Sequence, residues 1–237
     1  MPLEVSLKKR LKFYDVDISF KCPDRKMLVM IGPSGGGKTT IIRMLAGLEK
    51  PDEGKIAFNS EVWFDSVSGR NVPTQKRRLG YVFQEYTLFP HLTLYENAAF
   101  AAVNKKEINE LFDLFKISHL RNRKPNMVSG GERQRCSICQ ALARHPGLLL
   151  LDEPFSALDA ITRRGLREEL RNMKGRFDFP IIYVTHDINE ALYLADDILP
   201  VVQGGIDEKW MNKMTERDNS REHLSKAARE PKLALVY

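Results

Sequence analysis

The chain of 237 residues is poor in cysteine and has no long apolar run, and each shortage excludes a class of protein. Its three cysteines, Cys22, Cys136 and Cys139, are too few for a disulfide framework, and a reducing cytoplasm suits them. Cys136 and Cys139 have the bare C-x-x-C spacing within a run that reads as helical, one turn apart on one face. No second Cys or His pair lies close by to complete a zinc site, so small buried or half-buried thiols are the plainer reading. No apolar run approaches the roughly 18–20 residues that span a bilayer. The greasiest stretch, Leu148 to Leu151, ends in Asp152-Glu153, so any membrane role has to come through partner chains. Met1-Pro2-Leu3-Glu4 shows no basic start followed by an apolar core, so no signal peptide is visible. Internal repeats and low-complexity segments are absent from the sequence.

What is present is ordinary in bulk. Hydrophobic residues make up 43% and charged residues 29%, which places the chain among globular proteins large enough for one core with an inserted subdomain. The 37 basic and 31 acidic side chains leave a net charge of +6. That suits an anionic ligand or an acidic membrane surface and is too mild to argue for nucleic acid by itself.

Met27–Ile31, Leu148–Leu151 and Ile181–Thr185 are short, continuously apolar runs, the pattern of strands buried on both faces of a parallel sheet. Lys38–Leu48 reads as a helix whose apolar face is Ile41, Ile42, Leu45 and Leu48, with Gly47 near its end. Residues 55–64 read as a hairpin turning at Asn59-Ser60, residues 66–74 as a loop, and Leu79–Phe83 as another strand. From Tyr86 to about Leu142 the pattern is helical, with a capping-box spacing at Thr93–Glu96 and a further helix after Ser129. Residues 160 to about 177 form a charged amphipathic helix. Strand–helix alternation on either side of an all-helical stretch predicts a mostly parallel α/β core interrupted by a helical subdomain. Beyond Gly205 the sequence turns polar and charged and carries no functional signal.

Three motifs carry chemistry. Gly32-Pro33-Ser34-Gly35-Gly36-Gly37-Lys38-Thr39 fits the phosphate-loop pattern G-x-x-x-x-G-K-[ST], with a buried strand before it and a helix after it. The glycines let backbone N–H groups converge on phosphate oxygens, and the helix N-terminus adds its partial positive charge. Lys38 is expected to bridge the β- and γ-phosphates of ATP, Thr39 to ligate Mg2+, and Thr40 to reach the α-phosphate. Asp152 and Glu153 follow a buried strand, Asp152 directed at the magnesium and Glu153 placed to polarise the attacking water. Alone, such a pair is an ordinary turn; beside a phosphate loop it becomes an acidic partner. In Ser129-Gly130-Gly131-Glu132, Ser129 and Glu132 make a capping box. The two glycines cost about 1 kcal/mol each in a first helical turn, and stability does not explain them. They expose backbone N–H groups at a second helix start, which predicts a second anion site.

In this order, Gly32–Thr39, Gln84, Ser129–Glu132, Leu148–Glu153, Ser156–Asp159 and His186 resemble the nucleotide-binding subunits of ABC transporters over roughly residues 3–205. The resemblance implies a P-loop NTPase core with a mostly parallel sheet, an N-terminal antiparallel β part and an inserted α-helical subdomain. Residues 1–84 with 143–205 would be the core, 85–142 the helical subdomain and 206–237 a tail. Gln84 would link the magnesium site to the helical subdomain and the membrane partner. Ser129, Gly130, Gly131 and Glu132 would meet the γ-phosphate of an ATP held by the opposite subunit, and His186 would sit near the γ-phosphate of the chain's own. Ser156 to Asp159 resembles the loop that communicates across the dimer. The implied assembly is a homodimer on the cytoplasmic face of the cell membrane. It would drive transmembrane permease subunits served indirectly by a solute-binding protein, with no nucleic acid involved.

The departures are local. The aromatic that stacks on adenine in the family would align near Lys9-Arg10, not at Phe13 or Tyr14, and an arginine there can cover a ring through a cation–π contact. Glu132 stands where glutamine is usual, as in several importer subunits, and Gln140 stands where arginine is usual. Leu79 to Thr93 is similar to importer subunits for oxyanions, polyamines, iron and sugars, with Phe89 to Asn97 forming part of the groove for the membrane subunit. The unsettled adenine aromatic and the lack of a long C-terminal domain resemble the molybdate/tungstate branch. The competing expectation is a soluble ABC ATPase acting on DNA or ribosomes. Such proteins usually carry a long coiled-coil insertion or tandem cassettes, and this sequence has neither.

Overall fold

The computed structural model describes residues 2–85, 87–219 and 232–233. By their contacts the residues fall into two compact units, Met1–Arg77 with Pro180–Tyr237, and Arg78–Phe179.

The first unit opens with an antiparallel sheet. Strand β1 (Leu3–Arg10) buries Leu3, Val5 and Leu7, and β2 (Asp15–Cys22) buries Val16, Ile18, Phe20 and Cys22. The register pairs Leu3 with Cys22, Val5 with Phe20 and Leu7 with Ile18, so the two apolar rows share one face. Strand β3 (Met27–Ile31) is buried at every position, as its unbroken apolar run predicts. It feeds the glycine loop and helix α1 (Lys38–Ala46). Strands β4 (Glu53–Phe58) and β5 (Glu61–Asp65) form the expected hairpin, and Asn59 and Ser60 both take positive φ as a tight hairpin turn demands. The segment read as a loop over 66–74 contributes a short strand, β6 (Arg70–Asn71), on the edge of β5.

Helix α1 stops at Ala46, two residues before the expected end, for two reasons. Gly47 turns left-handed (φ 77°), and its N–H closes on Met44 O at 3.1 Å. The Arg77 guanidinium then donates to Met44 O (2.9 Å) and Leu45 O (2.6 Å). Arg77 is 2% exposed, also donates to Val72 O, and lies over the Trp63 ring. Burial pulls its pKa down to about 10, which leaves it charged at neutral pH.

The second unit begins with β7 (Leu79–Val82). The run Phe89–Asn97, read as helical, divides. Phe89–Leu92 is a turn held by the buried amide of Asn97, which accepts from Phe89 N (2.7 Å) and donates to Phe89 O (3.1 Å) and Thr93 O (2.9 Å). Helix α2 (Leu94–Ala99) starts only after Thr93, whose capping box with Glu96 forms as its spacing predicts. Then follow α3 (Glu107–Leu114), α4 (Gly130–Leu142), β8 (Leu148–Asp152) parallel to β7, and α5 (Ala160–Lys174). Cys136 and Cys139 are both buried in α4, their thiols directed at Leu94 O and Leu111 O. Gly80 of β7 lies so close to α4 that an added Cβ would stand 2.9 Å from Ala141 O.

The chain returns to the first unit with β9 (Ile181–Thr185), α6 (Ile188–Leu194) and β10 (Asp197–Val202). Strands β10, β3 and β9 lie side by side and parallel. The short β11 (Gly205–Ile206), helix α7 (Glu208–Asn219) and β12 (Lys232–Leu233) complete it, so the charged stretch after Gly205 contributes a helix. The architecture is α/β with a parallel sheet and an antiparallel N-terminal part.

Candidate functional site

Strand β3 ends in a loop whose backbone leaves no room for a side chain at two of its glycines. A Cβ on Gly32 would stand 1.9 Å from Val201 O, and one on Gly36 would stand 3.0 Å from both Pro33 O and Val201 O. The loop therefore lies directly against the backbone of β10. Gly37 takes φ 100° and opens α1 with no side-chain cap, and the first turn holds no acidic residue. A helix start without its own acceptor is suited to an external anion. Lys38 is 4% exposed, and its ammonium donates to Gly32 O and Pro33 O, both at 2.9 Å, so the charge is held over the loop it follows. Thr39 and Thr40 occupy the next positions of the same turn.

The loop is braced by a residue that the spacing of the motif does not announce. Tyr14, in the turn between β1 and β2, donates its hydroxyl to Gly35 O. Its ring would lie 3.5 Å from a Cβ on Gly37. Next to it, Phe13 is 85% exposed. Lys9, by contrast, is committed to Lys50 O and to the carboxylates of Glu49 and Asp52, and the Arg10 N–H donates to Asp52.

In the second unit, β8 ends at Asp152, which is 3% exposed and accepts a hydrogen bond from the Tyr81 hydroxyl at 3.0 Å. Glu153 follows with φ 45°, a left-handed conformation uncommon for a residue with a side chain. Its carbonyl accepts from Ser156 N (3.2 Å) and Ser156 Oγ (3.0 Å), which fixes the turn. Asp159 caps α5 through Ile161 N and Thr162 N, and these bonds, that from Thr162 first, hold its carboxyl below the usual range.

A sequence-family model described as ABC transporter matches residues 16–156, a span that begins in β2 and ends just past Asp152 and Glu153. The chain belongs to the ABC transporter family. It is 43% identical over 220 residues to the sulfate/thiosulfate import ATP-binding protein CysA 2 of Agrobacterium fabrum, covering 86% of this chain and 62% of that protein. It is 40% identical over 215 residues to the molybdate/tungstate import ATP-binding protein WtpC of Archaeoglobus fulgidus, covering 88% and 87%. The chain thus spans about three-fifths of some curated relatives, 62% and 55% for two sulfate/thiosulfate proteins, and nearly all of others. Among solved structures, the ATP-binding cassette MJ0796, in a dimeric post-hydrolysis state bound to ADP and Pi, gives a TM-score of 0.72. It is 26% identical, with 88% of this chain and 97% of that one covered.

The remaining segments that carry the resemblance lie as follows. Ser129 is exposed and caps α4: its side chain accepts from Glu132 N, and Glu132 accepts in turn from Ser129 N at 2.7 Å. A carboxylate at this third helical position is favoured by the helix dipole, which gives Glu132 a physical reason to replace glutamine. Gly131 has a packing reason that the sequence does not reveal, since a Cβ there would stand 2.4 Å from Thr162 Cγ2 on α5. Gln84 is exposed just past β7, and His186 is exposed just past β9. Nothing in the structure explains Gln140. Among the described residues, no helix is long and apolar enough to cross a membrane.

Proposed function

We propose that this chain is the ATP-hydrolysing subunit of an importer, two copies of which bind ATP head to tail and drive separate transmembrane permease subunits. The observation that carries this reading is the phosphate loop: a glycine-only approach to β10, a buried Lys38 and an uncapped helix start. Those features fit the triphosphate of a nucleotide. The hydroxyl of Thr39 and the carboxylate of Asp152, with Gln84, are oxygen donors that suit Mg2+. When bound, the metal neutralises charge on the phosphates.

In this reading Gly32 to Thr40 hold the phosphates and Lys38 steadies the β- and γ-oxygens. Glu153 accepts the proton of the attacking water, and His186 orients the γ-phosphate. Ser129, Gly130, Gly131 and Glu132 meet the nucleotide of the other copy. Residues 1–84 with 143–205 act as the ATPase core and 85–142 as the helical subdomain that meets the permease. The chain then works at the cytoplasmic face of a membrane. Relatives named for sulfate, thiosulfate, molybdate and tungstate support an oxyanion as the solute, delivered through a solute-binding protein.

Glu153→Gln is expected to lower ATP turnover by about 10²–10⁴-fold while nucleotide binding persists, the usual range for a general base. Turnover that matches the wild type removes the role given to Glu153. Co-purification with a permease subunit tests the importer reading. Tight association with DNA or ribosomes in its place would favour a soluble ATPase.

A further inference from the structure

The turn that carries His186 is built on a buried carboxylate to which the reading above gives no role. Glu190 of α6 is 4% exposed. Its Oε2 accepts from the hydroxyl of Tyr183 (3.0 Å) and from that of Thr185 (2.7 Å), both buried side chains on β9. Burying a carboxylate costs several kcal/mol of lost hydration, and hydrogen bonds only offset that cost. A leucine at this position would serve the packing of α6 without it. The carboxylate therefore needs a reason beyond packing.

The bonds supply one. Because the Thr185 hydroxyl donates to Glu190, its lone pairs face elsewhere, and Thr185 Oγ1 accepts from Asp187 N at 3.0 Å. The N–H of Asp187 lies in the peptide plane that begins at His186. Fixing that N–H fixes the backbone rotation that follows the histidine. On the far side, the Asp187 carboxylate caps α6 through Asn189 N (2.8 Å) and Glu190 N (3.2 Å). His186 thus stands between two anchored positions, and Glu190 is attached to both.

We propose that Glu190 is a positioning residue for His186, acting through the Thr185 hydroxyl on the peptide that follows the histidine. It governs the rate of hydrolysis and leaves nucleotide affinity unchanged. This rests on the reading that His186 serves ATP hydrolysis. The mechanism works because small errors in the placement of a reacting group are costly, about 10²-fold in rate for 1 Å.

The test uses the full chain with ATP and magnesium and compares Thr185→Val, Glu190→Gln, Glu190→Leu, His186→Ala and the double variant Thr185→Val/His186→Ala. Thr185→Val keeps the shape of the side chain and removes only the relay. It is expected to lower kcat by about 10–100-fold with KM and nucleotide Kd within about twofold, the range a misplaced group allows. Glu190→Leu follows it, and Glu190→Gln, which keeps one acceptor oxygen, retains more activity. In the double variant the losses do not multiply, and it is no slower than His186→Ala. Multiplying losses, or a Thr185→Val variant whose Kd rises as its kcat falls, overturn the proposal while leaving His186 in its role. Wild-type turnover in His186→Ala overturns the role of His186 and the proposal together.

Discussion

Two helices of this protein start on glycine-rich sequence, and they start differently. Helix α1 opens at Gly37 with a left-handed turn, no side-chain cap and no acid in its first turn. Helix α4 opens at Ser129 with a complete capping box, serine to Glu132 N and Glu132 to serine N. In α1 the glycines permit contact with the backbone of β10; in α4 Gly131 permits contact with Thr162. Glycine at a helix start therefore does not by itself announce an anion site. What marks α1 is the missing cap together with a buried lysine. At α4 the chain satisfies part of its own helix start, so under the proposed function a γ-phosphate from a second copy would have to share donors with Glu132.

The largest effect expected in the comparison comes from Lys38→Ala. It removes the buried cation held by Gly32 O and Pro33 O, and with it the charge-assisted bonds to phosphate that the proposed function gives it. Such bonds are worth about 1.5–3 kcal/mol each, so ATP affinity falls about 10²-fold or more by fluorescent-nucleotide titration. The same titration with Ser129→Ala on the monomer should leave affinity unchanged. A loss there would mean that α4 binds its own chain's nucleotide.

Next is Gly131→Ala, expected to lower unfolding stability by about 1–3 kcal/mol through overpacking against Thr162. Thr162→Ser deletes the methyl and keeps the hydroxyl. In that background Gly131→Ala should become neutral or stabilising by up to about 1 kcal/mol, because alanine is the better helix former. If the double variant stays destabilised in urea melts, the glycine is not there for packing.

How much of this was legible in the sequence follows from distance along the chain. The phosphate loop is readable because its eight residues do their work locally. The strands β3, β8 and β9 are readable because burial on both faces leaves an unbroken apolar run. The N-terminal antiparallel strands β1 and β2 are expected only through the family resemblance, although Leu3-Val5-Leu7 and Val16-Ile18-Phe20 alternate. Other features were not legible. Arg77 closes α1 across 32 and 33 residues of sequence, and its partners are carbonyls, which have no signature. Gly131 meets Thr162, 31 positions on by number (162 − 131), as a consequence of helix packing. The left-handed turn at Glu153 goes against the ordinary preference of its residue type, and such exceptions gather at functional sites.

Ser129→Ala also measures what the cap contributes to α4. Losing a helix cap costs about 0.5–2 kcal/mol, and urea melts should report that cost although nucleotide affinity stays the same. Gly37 has no corresponding cap to lose, so the stability of α1 rests on its other end, where Arg77 holds Met44 O and Leu45 O. Arg77→Met should therefore destabilise more than Ser129→Ala, since at a buried helix end it takes the guanidinium from Leu45 O and leaves Met44 O only the Gly47 N–H.

The smallest effect concerns how α4 is held once started. Its inward face carries the thiols of Cys136 and Cys139, and burial pushes Cys136 up to about 12 and Cys139 well above its ordinary value. Cys22 in β2 is likewise raised to about 12, with burial the leading cause. An unfolded thiol titrates at about 8.5, so the fold favours the protonated form. The sign follows: this contribution is whole below about 8.5 and is lost as pH rises toward 12, because the unfolded chain gives up its protons first. The loss is of order 1 kcal/mol per thiol at pH 9, read as a fall in melting temperature between pH 8 and pH 9.5. Cys22→Ala/Cys136→Ala should flatten that fall, and a thiol reagent at pH 8 should label no cysteine until the chain unfolds. Rapid labelling of Cys136 in the native protein would mean that α4 opens from its seat, and its capped start would then be the more mobile of the two.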